Sequence, residues 1–187
     1  LLNSVLTFFD EHYRYRARMR GRRELDGDGK LIMYPASACE TYKMATNPVN
    51  TTAGLRVILQ KLGGKDSILQ KIPPLYFRNM GGKETIAPAK AWERINNTES
   101  PQLYPVFPWR IFGIGKDSLE IAQNTYFYDP EVVKFRSNVG WKQDNIFAAC
   151  LGLTDEAKRL NSLKLADGPY RLPAFWGPGF DWAPDHN

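Results

Sequence analysis

The sequence predicts a mainly α-helical chain with long aromatic loops and one short β-hairpin. Three observations carry this expectation. Apolar residues recur at helical spacing in separate stretches toward both ends of the chain, and Gly, Asn-Pro and Thr punctuate those stretches as stops and starts. Between them, residues 76–112 lose the periodicity and fill with Pro, Gly, Trp, Tyr and Phe. Finally, Asp-Gly lies between two short apolar runs near residue 27, a turn signature.

In chain order, Leu2, Val5, Leu6, Phe9 and Tyr13 give an amphipathic helix over Leu1 to Arg20, which Gly21 stops. Asp26 and Asp28 then make the hairpin turn before Leu31-Ile-Met-Tyr34. They resemble the start of a calcium loop, but the position that should hold Glu is Ser37, so an ordinary turn is the better reading. Asn47-Pro48 reads as a helix start, with Asn as cap and Pro at the first helical position. Val49, Ala53, Val57 and Leu62 form that helix's apolar positions, and Gly63-Gly64 ends it. A short helix over Asp66 to Lys71 stops at Pro73-Pro74. Within the aromatic stretch, only Pro88 to Ile95 reads as helical. Ser118 to Thr125 and Trp141 to Leu151 are further helices, the second closed by Gly152. Thr154 is the expected cap of a last helix with Leu153, Ala157, Leu160 and Leu163 on its buried face; the last two helices make an αα-hairpin. Asp167 to Asn187 is expected to be loop.

Composition narrows the function. The 187 residues suit one domain, and no run of about 18 apolar residues is present to span a membrane. Two cysteines, Cys39 and Cys150, and two histidines, His12 and His186, give no zinc-site spacing. The net charge of +5 is concentrated in Arg14, Arg16, Arg18, Arg20, Arg22 and Arg23. Alternate residues on a helix are turned by about 200° and form no single stripe, so the cluster reads as a solvated helix end rather than a nucleic-acid site. Ser37 lacks a nucleophile elbow, and Gly113-Ile-Gly115-Lys116 lacks the spacing of a phosphate loop. No cofactor is expected.

Two aromatic segments carry acids. One is Tyr34-Pro-Ala-Ser-Ala-Cys-Glu-Thr-Tyr-Lys43; the other is the terminal loop, with Asp181 and Asp185 among Phe175, Trp176, Phe180 and Trp182. Poor solvation in an aromatic pocket lets a carboxyl hold its proton, and glycosidic cleavage needs two carboxyl groups. Aromatic faces also suit the C–H faces of sugars.

Tyr34-Pro-Ala-Ser-Ala-Cys-Glu40 resembles the Pro-Ser-x-Ser-Pro-Glu segment of glycoside hydrolase family 95, which contains α-L-fucosidases, and Pro184-Asp-His-Asn187 resembles its Ile-Asp-Gly-Asn segment. The resemblance implies that Glu40 is the general acid and Asp185 the general base of an inverting hydrolase. Glu40-Thr-Tyr-Lys-Met-Ala-Thr-Asn-Pro48, Gly140-Trp-Lys-Gln-Asp-Asn145 and Pro173-Ala-Phe-Trp-Gly-Pro-Gly-Phe-Asp-Trp182 are similar to a family of large secreted bacterial proteins related to it. This implies a six-hairpin (α/α)6 barrel and a secreted or periplasmic location. Cys39 stands where the fucosidase family has Pro, and His186 where it has Gly. Its two helper Asn residues lie in an earlier segment that has no counterpart here.

Twelve barrel helices of about 12 residues with connections of about 5 need on the order of 200 residues at the leanest. With loops taking much of the length, residues 1–187 are expected to be the later part of one barrel domain, truncated at both ends and partnered by its remainder. Candidate substrate-binding residues are Trp176, Trp182, Asp181, Tyr42, Asp144, Trp141, Arg110 and His186. Each has an ordinary alternative: a turn or helix start for Glu40, a loop cap for Asp185, packing for the tryptophans, a cap for Asp144 and a structural ion pair for Arg110. A carbohydrate-binding module without turnover is the second reading of the whole.

Overall fold

The computed structural model describes residues 2–63, 67–138 and 142–166. Within them the chain is mainly helical, with two small antiparallel sheets. None of these helices is long and apolar enough to cross a membrane.

Helix α1 (Leu2–Met19) ends where Gly21 takes φ +62°, a conformation that costs glycine little. It buries Leu6 and Ala17 and leaves Val5 at the surface. The chain then turns at Asp26, whose Oδ1 accepts the amides of Asp28 (3.0 Å) and Lys30 (2.8 Å). The expected hairpin shrinks to a single antiparallel bridge between Leu25 and Leu31. Leu31 and Met33 point inward and join Leu6, Leu55, Leu59 and Ile72 in a small apolar cluster. Such fully buried aliphatic side chains each stabilise the fold by about 1.5–3 kcal/mol.

Strands β1 (Ala36–Ala38) and β2 (Tyr42–Ala45) form a tight antiparallel pair, and β2 pairs on its other edge with β5 (Arg94–Ile95). Residues 88–95 are therefore not helical as expected. Their backbone runs antiparallel to residues 41–49: Lys90 and Glu93 donate to the carbonyls of Thr46 and Lys43, and Thr46 donates to Ala91. Long-range pairing of the backbone has overridden a weak local preference.

Helix α2 (Val49–Lys61) starts one residue later than expected, with Pro48 as cap. Asn47 does not cap it. At φ +52° its side chain instead accepts the Met33 amide (2.8 Å) and donates to the Tyr76 hydroxyl (3.1 Å). The stop at Gly63 is as expected: its φ is +97° and its amide returns to the Gln60 carbonyl. Helix α3 (Ser67–Lys71) also falls where the sequence places it.

Strands β3 (Phe77–Met80) and β4 (Lys83–Ile86) form a hairpin inside the stretch expected to be loop. Gly81 and Gly82 close it with φ of +59° and +83°, the positive values that a two-residue turn of this hand requires. The Gly-Gly pair was the available signal.

Helices α4 (Leu119–Tyr128), α5 (Pro130–Phe135), α6 (Asp144–Cys150) and α7 (Thr154–Lys164) complete the described chain. Helix α5 was not expected, although Asp129-Pro130 supplies both a cap and a first-turn proline; Asp129 accepts the amides of Glu131 and Val132. Helices α6 and α7 pack as the anticipated hairpin. Thr154 is the first residue of α7 rather than its cap, and Leu163 is exposed while Lys164 is buried. The larger apolar cluster joins Val49 of α2, Ile86 of β4, Leu103, Val106 and Phe112 of the aromatic stretch, and residues of α4 to α7. Just after that stretch, Gly113 lets the backbone approach the end of α6, where the Ile114 amide reaches the Cys150 carbonyl at 2.9 Å. The Gly-Ile-Gly sequence thus serves packing.

Candidate functional site

The turn between β1 and β2 carries Glu40. Pairing of Ala38 with Tyr42 leaves a three-residue loop, Cys39-Glu40-Thr41. Cys39 turns the chain with φ +50°, an uncommon conformation for a non-glycine residue. Thr41 points inward and Glu40 stands exposed at the tip, not in the poorly solvated pocket the sequence suggested.

The tip is held from one neighbouring loop. The Glu40 amide donates to Oε2 of Glu99 at 2.7 Å, and the Thr41 hydroxyl reaches the same oxygen at 3.5 Å. Oε2 of Glu40 accepts from Asn97 Nδ2 at 3.2 Å, while Asn97 Oδ1 accepts the Thr98 amide at 2.8 Å. The loop is fixed in turn by Lys142, whose ammonium donates to the carbonyls of Thr98 and Phe135. Sequence reasoning missed Asn97 and Glu99. Their partners lie 57 and 59 residues away, a distance that no local spacing rule spans.

Beneath the turn is a buried polar network. Tyr42 has no exposed surface; its ring meets Trp92 edge-on at 5.3 Å and its hydroxyl accepts from Gln102 Nε2 at 2.6 Å. Tyr42 is thus the inward anchor of the strand behind Glu40 and presents no face to a sugar. Gln102 also reaches Asp129 Oδ1 at 3.4 Å. Arg78 of β3 donates through Nε (3.2 Å) and Nη2 (2.6 Å) to Asp129 Oδ2, and to Glu131 as well. Burial pushes the Asp129 carboxyl up, against Arg78 and the Val132 amide. At Glu131 burial is outweighed by Arg78, and that carboxyl lies below its ordinary range.

The remaining expected residues divide. Asp144 is buried at the start of α6, where Oδ2 accepts the Ser137 amide at 3.2 Å and makes no cap for its own helix. Burial pushes its carboxyl up to about 6, opposed by the Ser137 amide and by Lys142, Arg136 and Lys164. Arg110 donates to the Cys150 sulfur at 2.8 Å, not to the carboxylate expected of it. Partial burial pushes the Cys39 thiol up to about 12, which leaves little thiolate at neutral pH. Both cysteines are free, and no group of acids, histidines and cysteines among the described residues could hold a metal. Asp185, Asp181, His186, Trp176, Trp182 and Trp141 lie outside the described residues.

Comparison with family models, with curated proteins and with solved structures finds no match to this chain. Fold and site together define a mainly helical chain that presents one acid on a braced, solvent-facing turn.

Proposed function

We propose that the chain is the later part of an (α/α)6-barrel catalytic domain of a secreted or periplasmic glycoside hydrolase, acting with inversion on a glycan or oligosaccharide. The observation that carries this reading is Glu40, the acid of the fucosidase-like segment. It is accessible at the tip of a turn and held by two side chains of a second loop. Its accessibility lets the Glu40 carboxyl reach a bound glycosidic oxygen, and the brace fixes where that carboxyl stands.

In this reading Glu40 gives its proton to the glycosidic oxygen as the bond to the sugar breaks. Asp185 takes a proton from the water that attacks the anomeric carbon from the opposite face, a role that in inverting enzymes calls for carboxyl groups about 6.5–9.5 Å apart. Trp176 and Trp182 would stack on sugar faces, and Asp181, His186 and Trp141 would be further substrate-binding residues.

The experiment is Glu40→Gln in the full-length parent, assayed against a panel of aryl glycosides and natural oligosaccharides. Loss of general acid assistance lowers turnover by about 10²–10⁴-fold for a poor leaving group while binding persists. A parent that binds sugars but turns over none of the panel supports the carbohydrate-binding module, the reading favoured by the openness of Glu40 to solvent.

A further inference from the structure

Glu99 plays no part in the chemistry above, yet it makes the shortest hydrogen bond to the turn that carries the acid. Its Oε2 receives the Glu40 amide at 2.7 Å and lies 3.5 Å from the Thr41 hydroxyl, so one carboxylate oxygen gathers two consecutive residues of the loop. The preceding residue, Cys39, is in the left-handed region at φ +50°, which disfavours a non-glycine residue and persists only where surrounding contacts hold it. Glu99 supplies such a contact. Asn97, two residues earlier in the same loop, holds the other end of Glu40 through its carboxyl. Main chain and side chain of Glu40 are therefore both set from residues 97–99, and Lys142 fastens that loop through the Thr98 carbonyl.

We propose that Glu99 is a positioning residue: by accepting the Glu40 amide it fixes where the Glu40 carboxyl stands relative to the leaving oxygen. This rests on the reading of Glu40 as general acid. The requirement is an acceptor oxygen at that place. Glu99→Gln keeps one and retains function, whereas Glu99→Ala removes it and lets the turn relax. A displacement of about 1 Å at a proton donor costs on the order of 10²-fold in rate.

The leaving group separates positioning from general damage. A 2-chloro-4-nitrophenyl glycoside departs with little help from an acid, whereas the 4-methoxyphenyl glycoside of the same sugar needs one. In the full-length parent, Glu40→Gln and Glu99→Ala should each lower kcat/KM for the methoxyphenyl substrate by on the order of 10²-fold. Both should leave the chloronitrophenyl substrate within a few-fold of the unmodified enzyme, the double variant should be no worse than Glu40→Gln, and Glu99→Gln should behave as wild type. Equal losses on both substrates in Glu99→Ala, or no loss on either, overturn the positioning role while Glu40 keeps its own. Absence of leaving-group dependence in Glu40→Gln overturns the acid and the positioning role together. A measurement independent of turnover completes the test: the amide proton of Glu40, observed by NMR, should move on Glu99→Ala. An unmoved resonance overturns the proposal whatever the glycosides show.

Discussion

Glu40 and Asp129 are both carboxylates gripped by hydrogen bonds, and they stand in opposite surroundings. Asp129 has no exposed surface, and both of its oxygens are taken: two amides and Gln102 on one, Arg78 twice on the other. Glu40 is exposed, and among the described residues its carboxyl has one partner, Asn97. An acid whose lone pairs are all committed joins β3, α5 and the segment around Gln102 into one structure. An acid with capacity to spare, on a braced backbone, is placed to exchange a proton with something outside the protein. The contrast separates a carboxylate that builds the fold from one that the fold presents.

The contrast can be broken most directly at Arg78. Arg78→Ala leaves Asp129 buried without its cation, and the loss of one partner of a buried pair costs about 3–5 kcal/mol. Urea unfolding of the chain, followed by far-UV circular dichroism, reads this as a lower midpoint. A loss under about 1 kcal/mol would mean that Asp129 does not depend on Arg78.

Asp144 offers a second buried acid with a different signature. Burial raises its folded-state carboxyl to about 6, so the native state binds this proton more tightly than the unfolded chain does. The contribution is complete below the unfolded value near 4 and is lost as pH rises through about 6. Asp144→Asn removes that dependence. Its stability relative to the unmodified chain should improve by about 2 kcal/mol between pH 4 and pH 7. A pH-independent difference between the two proteins contradicts the assignment.

The smallest effect belongs to Glu40 itself. Glu40→Gln should leave the unfolding midpoint within about 0.5 kcal/mol of the unmodified chain, as surface substitutions away from special features do. A cost above about 2 kcal/mol would place Glu40 with Asp129 as a structural carboxylate and erase the distinction.

The helices were legible where one segment carried its own pattern. α1, the end of α2 at Gly63, α3 and the α6–α7 hairpin follow from apolar spacing and glycine stops alone. Asn47 and Thr154 show the limit of cap signals: both residue types suit a helix start, but Asn47 spends its side chain on Met33 and Tyr76, and Thr154 begins the helix rather than capping it. Residues 88–95 failed for a different reason, because their amides are claimed by a strand more than 40 residues earlier. The position of Glu40 on a turn was compatible with its small neighbours. That Asn97 and Glu99 hold it was not legible, since nothing in Asn96-Asn-Thr-Glu-Ser-Pro101 names the partner it will meet. Tyr42 was misread because an aromatic beside an acid looks the same whether it faces a ligand or the core.

The span between Glu40 and Glu99 also bears on the order in which the molecule assembles. Helices α6 and α7 adjoin in sequence and meet across a short link, which closes cheaply and early. The Glu40 turn closes locally through Ala38 and Tyr42, but its brace needs 59 residues drawn into a loop, so the brace is expected to form late. Hydrogen exchange should therefore reach the Glu40 amide before those of the helical hairpin. Anything that binds the finished turn therefore draws the closing step of folding toward completion.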